Sequence, residues 1–317
     1  MIPVVDARSA TFADDLRSAC RDIGFVSVTG HGIPADLFER VRSQLRALFA
    51  LDADTKATLR ITADNYRGFI PLGFFTPNRA EPGERRGDHY EGYKLHWECP
   101  PDHRAATECD LYGANRWPDT VPGLRSTIAE YWTACETTAA PMLDAFADAL
   151  GVDRGEFARW HEAPLTNMTL LHYPARPAAD DRTGIHPHKD TNVLTLLHPD
   201  PVGGLEVRAV DGTWIEVDAP ADALVVNVGE MLELWSGGRF RATPHRVINR
   251  TGEARFSFPF FVVPNHAVVV EPLLPCVDGF TKAPMPVGAL SAEVWRTNWP
   301  EESPSTAGYD LGTLDRP

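Results

Sequence analysis

The sequence predicts a mainly β domain, a sandwich or barrel with flanking helices and an α/β N-terminal region. Three observations carry that expectation. After Asn167, short apolar segments alternate with the turn signals Gly203-Gly204, Asp211-Gly212, Gly237-Gly238 and Thr251-Gly252, the texture of consecutive antiparallel strands. Residues 121–150 instead show helical spacing, which suits a buttress lying across a sheet. The first 110 residues mix the two patterns.

In order, residues 2–6 form a short apolar extended start, and residues 11–21 have helical spacing through Phe12, Leu16 and Ala19, with Thr11 as N-cap. Gly24-Phe25-Val26-Ser27-Val28 reads as a strand that ends in the turn Gly30-His31-Gly32, where His31 packs or bonds locally. Helical periodicity returns over 34–51 through Leu37, Val41, Leu45, Leu48 and Phe49. Residues 66–97 are rich in aromatics and charges, among them Tyr66, Arg67, Arg85, Arg86, Tyr93, Lys94, His96 and Trp97. Such a segment fits a surface layer over the barrel or a wall facing a substrate. In 121–150, Leu124, Ile128, Tyr131, Cys135, Phe146 and Leu150 form an apolar stripe, and Pro141 is expected to kink or split the helix. A short helix over 153–160 follows. Strands are expected at 169–173, 193–197, 205–209, 214–217, 223–228, 246–249 and 256–263, then a helix at 291–299 and a polar, mobile tail from Pro300.

Composition limits the function. The 317 residues hold 43% hydrophobic side chains, enough for a sizeable core, and carry a net charge of −14. That balance argues against nucleic-acid binding, which needs clustered Lys and Arg. Five widely spaced cysteines with no C-x-x-C pair fit reduced thiols in a cytoplasmic protein rather than a disulfide or zinc framework. The start Met1-Ile2-Pro3-Val4-Val5-Asp6 lacks a signal-peptide pattern, and no apolar run reaches membrane-spanning length.

The stretch from His186 to Ser257 holds the candidate chemistry. His188 and Asp190, with His245 downstream, supply two imidazoles and a carboxylate, the donor set of a non-haem Fe(II) site that leaves positions open on the metal. If residues 183–197 form one extended segment, His188 and Asp190 share a face while Lys189 points away toward solvent. The same period puts Arg255 and Ser257 on one face, where they can clamp a carboxylate. His186 is expected to stand beside the site or at the surface, and His172 to be a barrel residue. Trp235, Arg239 and Phe261 lie near the site in sequence.

The linked motifs carry more than any one of them. His188-Lys189-Asp190, Gly203-Gly204-Leu205-Glu206-Val207, Asp211-Gly212-Thr213-Trp214-Ile215, Asn227-Val228-Gly229-Glu230, Pro244-His245-Arg246-Val247 and Arg255-Phe256-Ser257 together resemble the isopenicillin N synthase-like Fe(II)/2-oxoglutarate-dependent dioxygenases. Ile2-Pro3-Val4-Val5-Asp6 and the run from Gly24 to Gly32 are similar to that family's N-terminal region, so the resemblance covers most of the chain. It implies a double-stranded β-helix (jelly-roll) barrel. Residues 1–110 would pack on a unit formed by 111–317, the helical buttress and barrel core, as one structural whole. It also implies that His188, Asp190 and His245 bind Fe(II), and that Arg255, Ser257 and Tyr173 bind 2-oxoglutarate. O2 is then the second cosubstrate and a small molecule the substrate, which is hydroxylated, desaturated or cyclised with release of succinate and CO2. Leu171 stands where the family often has asparagine, Lys189 where it often has threonine, and Thr191-Asn192 where Tyr-Gly is frequent. These departures bear on the substrate more than on the metal. Two other readings share the motifs: an oxidase like isopenicillin N synthase, which uses Arg-x-Ser for its substrate's own carboxylate, and a non-catalytic ligand-binding protein.

Overall fold

A computed structural model of the chain describes residues 1–75, 87–177 and 183–297. Strand β1 (Val4–Asp6), helix α1 (Phe12–Asp22), β2 (Phe25–Thr29), α2 (Ala35–Phe49), α3 (Ala53–Thr58), β3 (Gly68–Ile70) and β4 (Glu91–His96) open it. Helices α4 (Arg104–Glu108), α5 (Leu124–Leu150) and α6 (Arg154–Arg159) lead to β5 (Asn167–Tyr173), β6 (Ile185–His188), β7 (Leu194–Leu197), β8 (Leu205–Arg208), β9 (Trp214–Glu216) and β10 (Leu224–Val228). The chain continues through α7 (Glu230–Trp235), β11 (His245–Val247), β12 (Arg255–Ser257), β13 (Phe260–Val262), β14 (Val269–Val270), β15 (Met285–Pro286) and α8 (Val287–Thr297).

Two sheets make the barrel. The larger runs β1-β2-β10-β7-β13-β5-β4-β3, with β12 also on β5, and the smaller runs β6-β11-β8-β9. Leu171, Tyr173 and Val225 of the larger sheet pack in one buried cluster with Leu205, Val207 and Val247 of the smaller. The barrel is therefore a jelly roll filled between its sheets. Strands from the first 110 residues lengthen both ends of the larger sheet: β2 pairs β10, and β4 pairs β5 from Glu91↔His172 to His96↔Asn167.

Residues 66–97 are thus sheet in part, not a layer laid over one. Tyr93 and Leu95 are fully buried in the cluster that joins the sheet to α1, α2 and α5, while Lys94 and His96 alternate onto the barrel side. Arg85 and Arg86 of that segment, and the tail from Pro300, lie outside the described residues.

Helix α5 runs unbroken through Pro141, so the expected split does not occur. Pro141 and Thr137, whose carbonyl the proline leaves unpaired, are both on the exposed side, where water can satisfy it. The buried stripe on the other side holds the axis in place. Tyr131 meets Phe258 edge-on at 5.2 Å, Trp132 meets Phe260 at 5.0 Å, and Phe146 meets Phe240 at 5.0 Å. The strand expected over 256–263 divides into β12 and β13, since Pro259 cannot donate to a ladder. Thr11 occupies the N-cap position of α1, but its hydroxyl donates to Asp15 and caps no backbone N–H.

Candidate active site

The triad is built where the two sheets meet. His188 ends β6 directly opposite His245 on β11, so pairing register alone makes the imidazoles neighbours, with ring centroids 4.3 Å apart. The chain then leaves the smaller sheet, and residues 189–193 cross to β7 in the larger one. Asp190 lies in that crossing, not on a strand shared with His188 as an extended 183–197 would require. Its Oδ1 stands 3.6 Å from His188 Nε2 and 3.5 Å from His245 Nε2. One donor atom from each of the three side chains lies within 4.8 Å of the others.

Each donor is aimed by a second contact. His188 Nδ1 bonds the His186 carbonyl at 2.8 Å and His245 Nδ1 the Thr243 carbonyl at 3.1 Å, which puts the proton on Nδ1 and turns each Nε2 lone pair inward. Asp190 Oδ2 accepts from Thr195 Oγ1 at 2.6 Å and Asn227 Nδ2 at 2.8 Å, leaving Oδ1 toward the imidazoles. Burial opposes charge on Asp190, yet His245, His188 and Asn227 hold its carboxyl well below the usual carboxylate range. Burial, with His245 beside it, lowers His188. Phe25 of β2 packs edge-on against His245 at 5.3 Å. A carboxylate and two imidazoles converging in this way fit a divalent iron.

Arg255 and Ser257 lie along the same interior face, opposite Tyr173 and Leu171 of β5. Arg255 is 2% exposed, its guanidinium lies 4.9 Å from the Tyr173 ring centre, and its Nε donates to the Gly203 carbonyl at 2.8 Å. Neither Arg255 Nη1 nor the Tyr173 hydroxyl has a hydrogen-bond partner among the described residues. A buried guanidinium without a counter-charge is costly, so this corner fits an anion such as the distal carboxylate of 2-oxoglutarate. A Cβ at Gly184 would lie 3.0 Å from the Tyr173 ring, so glycine there lets β6 approach.

Several neighbours fall elsewhere. Lys189 is mostly buried and faces Glu233 at 3.7 Å, in a group with Lys282 and Glu230, so it points neither to solvent nor into the site. His186 pairs with Asp88 at 2.5 Å and His172 with Glu91 at 2.8 Å. His31 Nδ1 accepts from the Ile33 backbone N–H at 3.1 Å, the local role its turn position suggested, while Nε2 also reaches the Asp222 carbonyl at 2.8 Å. Trp235 is buried against Phe157 and Trp160, and Arg239 bonds backbone carbonyls of Ser236 and Pro275; neither lines the barrel. Sequence gives Thr195 and Asn227 no role beyond Asn227's place in a matching motif, although an asparagine inside the apolar run Leu-Val-Val-Asn-Val is the kind of buried polar group that needs a stated partner.

The chain is similar to known proteins along most of its length. Residues 165–264 match the 2OG-Fe(II) oxygenase superfamily and residues 2–120 the N-terminal region of non-haem dioxygenases in morphine synthesis. The 2-oxoglutarate-Fe(II) type oxidoreductase hxnY of Emericella nidulans is 33% identical over 279 residues, covering 85% of this chain and 79% of that protein. A homoarginine-6-hydroxylase of Glycine max is 32% identical over 81% of this chain and 79% of its own. The crystal structure of JOX2 in complex with 2OG, Fe and JA superposes with a TM-score of 0.77 at 25% identity, over 96% of this chain and 86% of that one. Among the described residues no helix is long and apolar enough to cross a membrane.

Proposed function

The chain belongs to the 2OG-Fe(II) oxygenase superfamily, and on that premise we propose that His188, Asp190 and His245 are its iron ligands and that Arg255, Tyr173 and Ser257 hold the distal carboxylate of 2-oxoglutarate. The enzyme is an Fe(II)/2-oxoglutarate-dependent dioxygenase. The convergence of the three donor atoms within 4.8 Å carries the ligand assignment. The unpartnered Arg255 Nη1 and Tyr173 hydroxyl support the second half.

When bound, iron with 2-oxoglutarate and O2 supplies the oxidation of a substrate C–H bond, with succinate and CO2 as coproducts. The chain's own residues arrange that event. Thr195 and Asn227 keep Asp190 Oδ2 occupied, so Oδ1 is the oxygen that would bind iron. The Thr243 and His186 carbonyls fix both imidazole tautomers before metal arrives. Arg255, oriented by the Gly203 carbonyl, presents its remaining N–H groups as a fork to a carboxylate. Apolar side chains of the barrel interior, Val207, Val225 and Leu171 among them, exclude water between the two.

Hydroxylation of a small molecule in specialised metabolism is the outcome this reading favours, with residues 1–110 and 111–317 working as one unit. A cytoplasmic setting is supported by five cysteines, all free. The test is direct. Purified protein is loaded with Fe(II) and 2-oxoglutarate without oxygen, the complex is followed by its charge-transfer absorption, and succinate is measured after oxygen is admitted. Iron that does not bind, or 2-oxoglutarate left unconsumed, would sink the assignment. Product formed without succinate would instead point to an oxidase that holds its substrate's carboxylate at Arg255.

A further inference from the structure

Strand β5 links two ends of the barrel interior. Its inward positions run Tyr173, Leu171, Thr169, Asn167, spanning about 20 Å at the usual rise. Tyr173 lies opposite Arg255; at the far end Thr169 lies opposite Lys94 and Asn167 opposite His96. The same face continues through Asn167↔Phe261, Phe261↔Thr195 and Thr195↔Asn227, and Thr195 and Asn227 are the groups that hold Asp190. Lys94 and His96 therefore share a layer with the metal site, at the end away from Arg255.

Lys94, Asn167 and Phe261 keep solvent contact although Tyr93, Leu95, Met168, Phe260 and Val262 beside them are buried, so these side chains line an opening. Lys94 Nζ donates to Asn167 Oδ1 at 2.7 Å and Thr169 Oγ1 at 2.9 Å and lies 5.4 Å from the Phe261 ring centre. Both acceptors are neutral, and an ammonium has a third N–H to give. His96 is 5% exposed, and neither ring nitrogen has a hydrogen-bond partner among the described residues. Its ring meets Trp295 of α8 at 5.1 Å, and behind it Arg67, also over Trp295, spends one N–H on the Leu111 carbonyl and leaves Nε unpaired. Three nitrogen bases thus crowd together with no carboxylate pairing any of them among the described residues. Burial pushes the Lys94 ammonium down to about 7 even with Asp190 favouring its charge, and burial with Arg67 and Lys94 nearby holds His96 low. A lysine that only tied β4 to β5 would not need His96 and Arg67 left unsatisfied beside it.

We infer that this cluster anchors the substrate: Lys94, with His96 beside it, receives a carboxylate that Asn167 helps orient, and Phe261 and Trp295 wall the apolar part, so the primary substrate is a small carboxylic acid. The inference rests on the oxygenase reading above and names the substrate class for that same site.

The experiment uses the full chain with Fe(II) and 2-oxoglutarate in the absence of oxygen. It is titrated with matched pairs of aliphatic and aromatic carboxylic acids and their primary amides, and perturbation of the charge-transfer band reports binding. A charge-assisted hydrogen bond predicts that acids bind about tenfold to 100-fold more tightly than amides. Lys94→Met removes the preference and Lys94→Arg retains part of it. The band before acid is added shows whether the iron site has formed in each variant; where it has not in Lys94→Met, Lys94→Gln, which can still donate to Asn167 and Thr169, takes its place. Amides binding as well as acids, no acid perturbing the band, or a preference that survives Lys94→Met would each overturn the proposal. A wild-type protein that forms no band at all fails earlier, at the oxygenase reading, and takes the proposal with it.

Discussion

Replacing Arg255 with leucine separates ligand binding from folding, because its guanidinium is buried with no carboxylate paired to it among the described residues. Its Nε is already engaged by Gly203, so the ligand takes the remaining N–H groups. Two charge-assisted bonds at roughly 1.5–3 kcal/mol each make a loss of about 3 kcal/mol or more. That corresponds to an apparent KM for 2-oxoglutarate raised about 100-fold or beyond. Stability should move differently. Without ligand, Arg255→Leu removes an uncompensated buried charge and should leave the melting temperature unchanged or raised. With saturating 2-oxoglutarate the wild type gains stability by linkage, and the variant loses most of that gain. Arg255→Lys keeps the charge but not the fork and should fall between the two. Succinate formation across a 2-oxoglutarate series and thermal melts with and without the ligand read both effects. A variant with wild-type KM and an intact ligand-induced rise in Tm would refute the assigned role.

Other predictions follow from the same geometry. His245→Ala should abolish iron binding and succinate formation while far-ultraviolet circular dichroism stays native, since the ring sits at the barrel mouth and not in the helix-backed core; measurable turnover would count against it. Thr195→Val and Asn227→Leu each remove one of the two hydrogen bonds that hold Asp190 Oδ2 and should weaken iron affinity about 10- to 100-fold, as read by metal titration, without removing a ligand. Glu206, bonded to Arg246 at 2.7 Å and Arg250 at 2.5 Å, is lowered from its ordinary 4.5 against the pull of burial. Its contribution to stability is therefore complete above about pH 4.5 and is lost as pH falls through the lowered value. Glu206→Gln should accordingly lose stability at pH 7 and show a smaller further loss on acidification than wild type, measured by urea unfolding at each pH.

The metal-site candidates were legible because their chemistry depends on local spacing. His188, Asp190, Arg255 and Ser257 could be paired from short motifs, and His245 from the run around it. The path between His188 and Asp190 was misread: an extended segment over 183–197 satisfied the two-residue period, but the chain changes sheets there. Strand β4 was legible in principle, since Tyr93-Lys94-Leu95-His96 alternates apolar and polar as a half-buried strand does, but the density of aromatics and charges around it points equally to a covering layer. The fully buried α7 was missed for the opposite reason, since Glu-Met-Leu-Glu-Leu-Trp has no solvent face to set a period. Lys94 itself could not be placed from sequence. Its two acceptors lie 73 and 75 positions away, and only sheet register brings them to it.

The crossing of residues 189–193 from one sheet to the other has a mechanical meaning. His188 and His245 belong to the smaller sheet, whereas Asp190 is tethered by Thr195 and Asn227 to the larger. An ion held by all three would be a rivet between the sheets. Metal should then slow amide hydrogen exchange in β6, β7, β10 and β11 together, tying the breathing of two sheets into one motion, and the enzyme's oxidising centre would double as the clasp that keeps its own barrel shut.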